Sequence, residues 1–151
     1  MVIFNFADHQ KKPMNNPEAR KYCPKILIAE DDIVNQRLFF YFLKEVSENL
    51  LFAADGKEAV KMYAENPDVC IILMDLQMPI MNGFEAAARI HEINPDVKVI
   101  ALSAYARDES KWETTSNEFA EYISKPIRKD ILQETILKYI RPGSENNIKT
   151  P

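Results

Sequence analysis

Val69-Cys70-Ile71-Ile72-Leu73-Met74, followed at once by Asp75, is the most continuous apolar run in the chain. A short apolar run rich in branched side chains and lacking polar alternation reads as a strand buried on both faces. Before it, Pro67 closes a helix that Gly56 opens and that carries Ala59, Val60 and Tyr63; Leu50 to Ala53 is a second short run ahead of that helix. Further back, Lys25 to Ala29 (KILIA) has strand character, and Ile33 to Val46 sets Val34, Leu38, Tyr41, Phe42 and Val46 at helical spacing. After Asp75 the pattern predicts a helix from about Gly83 to Ile93, a strand from Val97 to Leu102 and a weaker helix around Asp108 to Glu118. Tyr122 to Ser124 is a last strand, and Ile131, Leu132, Ile136 and Ile140 mark a closing helix.

Short strands alternating with amphipathic helices predict a parallel sheet covered on both faces. The fold expected is a single α/β domain, a doubly wound five-stranded sheet of the flavodoxin-like type with strand order 2-1-3-4-5. It should occupy residues 25–140. Residues 1–24, with Pro13, Pro17, Pro24 and paired Asn and Lys, read as an extension or linker, and 141–151 as a polar tail.

The 151 residues are 46% hydrophobic and 28% charged, an ordinary composition for a protein with a buried core. A formal net charge of -4 argues against direct nucleic-acid binding, which needs concentrated positive charge. Met1 to Phe6 is too short and too interrupted for a secretory signal, and no window suits a membrane span. Cys23 and Cys70 suggest no disulfide framework, and Cys70 reads as a buried thiol. A cytoplasmic location is expected, including the cytosolic part of a membrane-bound protein.

Ligands of open parallel sheets bind beyond the carboxyl ends of the strands. Strand one ends in Glu30-Asp31-Asp32, strand three in Asp75, strand four in Ser103-Ala104 and strand five in Lys125-Pro126. Taken singly these residues have plain readings: Asp32 caps a helix, Ser103 sits in a turn, Lys125 is solvated. Together they set several carboxylates at one edge, which calls for a cation; hard oxygen donors suit Mg²⁺. A carboxylate nucleophile with a metal, an ammonium and a hydroxyl around it is suited to accepting a phosphoryl group.

These residues resemble the receiver domains of two-component response regulators. ILIAEDD (Ile26 to Asp32), LMDLQMPIMNG (Leu73 to Gly83), ALSA (Ala101 to Ala104) and YISKP (Tyr122 to Pro126) are similar to that family's four motifs, in order, and DIVNQRL (Asp32 to Leu38) resembles receivers of hybrid sensor histidine kinases. The resemblance implies that Asp75 is the phosphoacceptor in a phosphorelay, served by a histidine kinase or histidine phosphotransfer protein. It implies Mg²⁺ held by Asp31, Glu30, Asp75 and the backbone carbonyl of Gln77. It implies that Ser103 and Lys125 contact the phosphoryl group, that Tyr122 is the switch residue, and that Lys125-Pro126 is cis. Gln77 and Tyr105 would flank the attacking water. No turnover is expected beyond the domain's own phosphotransfer and autodephosphorylation; the output would be a changed surface read by a downstream or parent-chain domain. The chain would then be a stand-alone receiver or a fragment of a hybrid histidine kinase.

Two positions depart from the pattern. Asn82 stands where Asp is frequent, and Asn117-Glu118-Phe119-Ala120 lacks a common glycine, so Asn117 or Glu118 would have to supply any left-handed residue. A phosphorylation-independent pseudo-receiver is one alternative. An aspartate-nucleophile phosphatase is another, disfavoured because it needs an acid two residues after the nucleophile, where Gln77 stands.

Overall fold

In the computed structural model, which describes residues 24–104 and 118–140, the apolar run Val69 to Met74 lies in the central strand of the sheet. The elements are β1 (Lys25–Ala29), α1 (Ile33–Leu43), β2 (Asn49–Ala53), α2 (Gly56–Glu65), β3 (Val69–Asp75), α3 (Gly83–Ile93), β4 (Lys98–Ser103), β5 (Glu121–Ser124) and α4 (Lys129–Ile140). All pairings are parallel and the strand order is β2-β1-β3-β4-β5, as the alternation predicts. The chain runs outward from β1 to β2, then crosses back to β3 and on to β5. The order therefore reverses between β1 and β3, and their carboxyl ends open a crevice there.

Side-chain parity divides the core in two. Ile26, Ile28, Ile71, Leu73, Ile100, Leu102 and Ile123 face α1 and α4, where Phe39, Leu43, Leu132 and Ile136 meet them. Leu27, Ala29, Ile72, Met74, Val99 and Ala101 face α2 and α3, against Ala59, Tyr63, Ala86 and Ile90. Alternate residues of one strand thus serve opposite layers, which explains why β3 shows no polar alternation.

Three expectations need correcting. Helix α1 ends at Leu43 instead of Val46, because the N–H groups of Val46 and Ser47 both turn back to the Leu43 carbonyl. Its buried residues are Gln36, Phe39 and Leu43, whereas Val34, Leu38 and Tyr41 are exposed. Cys70 is half-buried, not buried, its Sγ 3.7 Å from the Asp68 carbonyl near the amino end of β3. Residues 108–117 of the helix expected around 108–118, the extension over 1–23 with Cys23, and the tail at 141–151 lie outside the described residues, and Glu118 stands in a turn.

Two helix starts approach neighbouring backbone so closely that only glycine fits. A Cβ on Gly83 would lie 2.3 Å from the Asp75 carbonyl oxygen, and one on Gly56 would lie 2.3 Å from that of Met81. The Gly56 N–H donates to the same Met81 O, and the Gly83 N–H donates to Leu76 O, one residue on from the crowded Asp75 carbonyl, so a hydrogen bond holds each approach. Gly83→Ala is expected to destabilise the domain by about 1–3 kcal/mol through forced overpacking. That would hold despite alanine's better helix propensity, worth about 1 kcal/mol in a helix interior. Urea denaturation tests it, and an unchanged or raised stability would contradict the close approach.

Candidate functional site

Each acidic residue at the crevice is placed by the end of a strand. Glu30 follows β1 and keeps its N–H bonded to Ala53 O at 3.0 Å, one rung past the β1–β2 pairing. Its carboxylate is nearly inaccessible, and its Oε1 accepts the Asp32 N–H at 3.1 Å. Asp32 is the N-cap of α1, accepting from Val34 N–H at 2.7 Å, so it is turned towards the helix. Asp31, between them, is exposed. Asp75 ends β3, buried, with its Cα registered against Leu102 of β4.

Glu30, Asp31 and Asp75 each offer a carboxylate oxygen, all within 4.8 Å of one another. Lys125 is the counter-charge: its Nζ donates to Asp75 Oδ2 at 2.8 Å and to Glu30 Oε2 at 3.1 Å. The other oxygen of Asp75, Oδ1, accepts the Gln77 N–H at 3.0 Å, so both ends of that carboxylate are held. Lys125 is placed in turn by its own N–H, which donates to Ser103 O at 2.8 Å, and Lys125-Pro126 is cis. Ser103 is buried at the end of β4.

Tyr122 pairs with Ala101 in the β4–β5 register, and its hydroxyl oxygen is buried. Its ring packs on Phe119 at 5.5 Å, and Phe119 meets Phe84 of α3 at 5.6 Å. This aromatic row fills the space between β5 and the start of α3. Asn82 caps α3 by accepting the Glu85 N–H at 2.9 Å, so its departure from Asp leaves the helix start intact. Tyr105 and Asn117 lie outside the described residues.

The electrostatics follow from the crowding. Burial raises the Glu30 pKa above its ordinary 4.5, and the Asp75 charge adds to the rise, while the Asp32 N–H and Lys125 pull against it. Burial opposes the Lys125 charge, but the hydrogen bond to Asp75 and the charges of Glu30 and Asp75 outweigh it, leaving its pKa raised. One ammonium shared among clustered carboxylates leaves negative charge in excess, and the donors are all hard oxygens. The residues present therefore fit a divalent cation of the Mg²⁺ kind, held through Glu30, Asp31 and Asp75.

Sequence reasoning missed Gln36, which lies buried on α1 and donates from Nε2 to the Glu30 carbonyl at 2.6 Å. A polar residue on the inner face of an apolar helix was the available signal. It also missed Ile80, a β-branched residue with φ of 69° in the loop between β3 and α3. There the Met81 N–H donates to Pro79 O at 2.7 Å, closing a tight γ-type turn that sets Ile80 in solvent.

Residues 26–137 match the family described as the response regulator receiver domain. Among curated relatives, hybrid signal transduction histidine kinase I of Dictyostelium discoideum is 35% identical over 131 residues, covering 82% of this chain and 8% of that protein. The chain thus spans a small part of such relatives. Among solved structures, the receiver domain of sensor histidine kinase PA1611 from Pseudomonas aeruginosa PAO1 was crystallised with a magnesium ion coordinated in its active-site cleft. It superposes with a TM-score of 0.71 at 29% identity, covering 79% of this chain and 98% of that one. The receiver domain of Ssk1, in a co-crystal structure with the Saccharomyces cerevisiae histidine phosphotransfer protein Ypd1, gives 0.71 at 27% identity, covering 78% and 89%.

The raised Glu30 pKa fixes the sign of a pH effect. Between 4.5 and the raised value the folded protein binds more protons than the unfolded chain, so stability falls as pH rises through that window. In EDTA, Glu30→Gln is expected to lose this component, so its melting temperature gains on wild type as pH rises through the window. Parallel pH profiles for the two proteins would contradict the assignment.

Proposed function

The chain belongs to the response regulator receiver domain family, and from that premise we propose that it accepts a phosphoryl group on Asp75 from a phosphohistidine partner. The single observation that carries the reading is the buried Asp75 carboxylate, one oxygen on Lys125 and the other on the Gln77 N–H, beside two further carboxylates. In the transfer, an Asp75 oxygen bonds to phosphorus as the P–N bond to the donor histidine breaks, and the imidazole leaves with the electron pair. Mg²⁺, held by Glu30, Asp31, Asp75 and the carbonyl of Gln77, would supply positive charge for the phosphoryl oxygens.

Lys125 holds Asp75 in place before transfer and pairs with the phosphoryl group afterwards. Ser103, at the end of the strand beside Asp75, donates its hydroxyl to a phosphoryl oxygen. The backbone of β4 shifts with it, and Tyr122 responds through its register with Ala101, repacking on Phe119. The altered surface of β5 and α4 is the output, read by a downstream protein or by another part of a hybrid kinase.

The donor must reach the crevice, and α1 starts two residues past Asp31. Val34, Leu38 and Tyr41 form a stripe on its outer side, 67%, 40% and 58% exposed. Their i, i+4, i+7 spacing suits an apolar partner helix. We assign this stripe to the protein that carries the phosphohistidine; the Ypd1 complex of a similar receiver supports a partner of that class.

Borohydride trapping after incubation with a phosphohistidine protein should reduce the acyl phosphate to homoserine at position 75, located by peptide mapping. Trapping elsewhere would overturn the reading. Leu38→Glu should slow transfer from that protein by about tenfold or more, by placing a charge in an apolar contact. Labelling by a small phosphodonor should stay unchanged. Equal loss with both donors would remove the docking role of α1.

A further inference from the structure

The amide of Gln36 lies on the inner side of α1 with Phe39 and Leu43, only 7% exposed. Burying a side-chain amide is unfavourable unless its polar atoms find hydrogen-bond partners. An apolar residue of the same length would fill the space without that cost. Its Nε2 instead reaches back six residues to the Glu30 carbonyl at 2.6 Å, a buried contact.

That carbonyl belongs to the peptide joining Glu30 to Asp31. The sheet ladder gives out here: Glu30 N–H still bonds to Ala53 O, but the chain then turns towards α1. Because a peptide unit is planar, holding its oxygen sets the direction in which the Asp31 Cα leaves. The Glu30 side chain is tied separately, to the Asp32 N–H and to Lys125, and Asp32 is committed to capping α1. Gln36 thus holds the peptide from which the exposed Asp31 departs, beside the crevice.

We propose that Gln36 is a positioning residue for the divalent-cation site, acting through the Glu30–Asp31 peptide. This rests on the reading of the Glu30, Asp31 and Asp75 cluster as a Mg²⁺ site. Residues that orient metal ligands typically contribute 10–100-fold to metal affinity.

Gln36→Met keeps the length and apolar body of the side chain and removes the donor. Leu43→Ala, on the same helix face, serves as a control for loss of packing. Mg²⁺ affinity is measured by calorimetry on the whole chain, beside melting temperature in EDTA. The expected result is a loss of Mg²⁺ affinity of about tenfold or more in Gln36→Met. Leu43→Ala should lower the melting temperature and leave the affinity near wild type. Equal affinity in wild type and Gln36→Met, or an equal loss in both variants, overturns the positioning role while the metal site stands. Absence of Mg²⁺ binding in wild type overturns both. Should Gln36→Met fail to fold, the side-chain amide of Gln36 is followed by NMR in the wild type. It should shift along the same Mg²⁺ titration curve as the calorimetry, and a silent resonance overturns the role.

Discussion

The ammonium of Lys125 reaches two buried carboxylates, Asp75 at 2.8 Å and Glu30 at 3.1 Å, that would otherwise repel across the crevice. Most of what the domain is built to do depends on that bridge. Removing one partner of a buried pair leaves an uncompensated charge, a change that commonly costs about 3–5 kcal/mol. A single ammonium cannot neutralise Glu30, Asp31 and Asp75 together. The site is therefore balanced for folding but short of positive charge, and a cation and a phosphoryl group are complementary additions to it. The stored repulsion shows in Glu30, whose carboxyl holds its proton more tightly than usual because of burial and the Asp75 charge.

The sheet makes the bridge possible by aligning strand ends far apart in the chain. Glu30 and Lys125 are separated by 95 positions, yet β1 and β5 deliver them to the same edge. The two glycines then bring α2 and α3 against the loop that follows Asp75, through the carbonyls of Met81 and Asp75. With its two ends committed to these contacts, the loop closes through Ile80 at a positive φ, a conformation that costs a non-glycine residue about 1–3 kcal/mol. Tight packing behind Asp75 thus keeps the Gln77 N–H on its Oδ1.

Much of this was legible in the sequence because the short runs of β1, β3, β4 and β5 each give way at once to a polar residue, which β2, followed by Ala54, does not. The strand-end rule alone gathers Glu30, Asp31, Asp75, Ser103 and Lys125. Helix α1 was not legible in the same way. IVNQRLFFYFL is apolar on several sides, so its spacing cannot choose between a stripe through Val34, Leu38 and Tyr41 and one through Phe39 and Leu43. Packing chose the second, and it carried Gln36 inward, where hydrophobicity alone would not place it. The Ile80 conformation was hidden for a different reason: a β-branched residue disfavours positive φ, so only the geometry of the surrounding loop reveals it.

The central claim is that this crowded, incompletely neutralised carboxylate site accepts a phosphoryl group on Asp75 with the help of a divalent cation. Intact mass after incubation with acetyl phosphate tests it most directly, with Mg²⁺, with EDTA, and with Asp75→Asn. The account predicts the gain of one phosphoryl group in the wild type with Mg²⁺, and no gain in EDTA or in the variant. A gain that survives in EDTA or in Asp75→Asn, or none in the wild type with Mg²⁺, would contradict it.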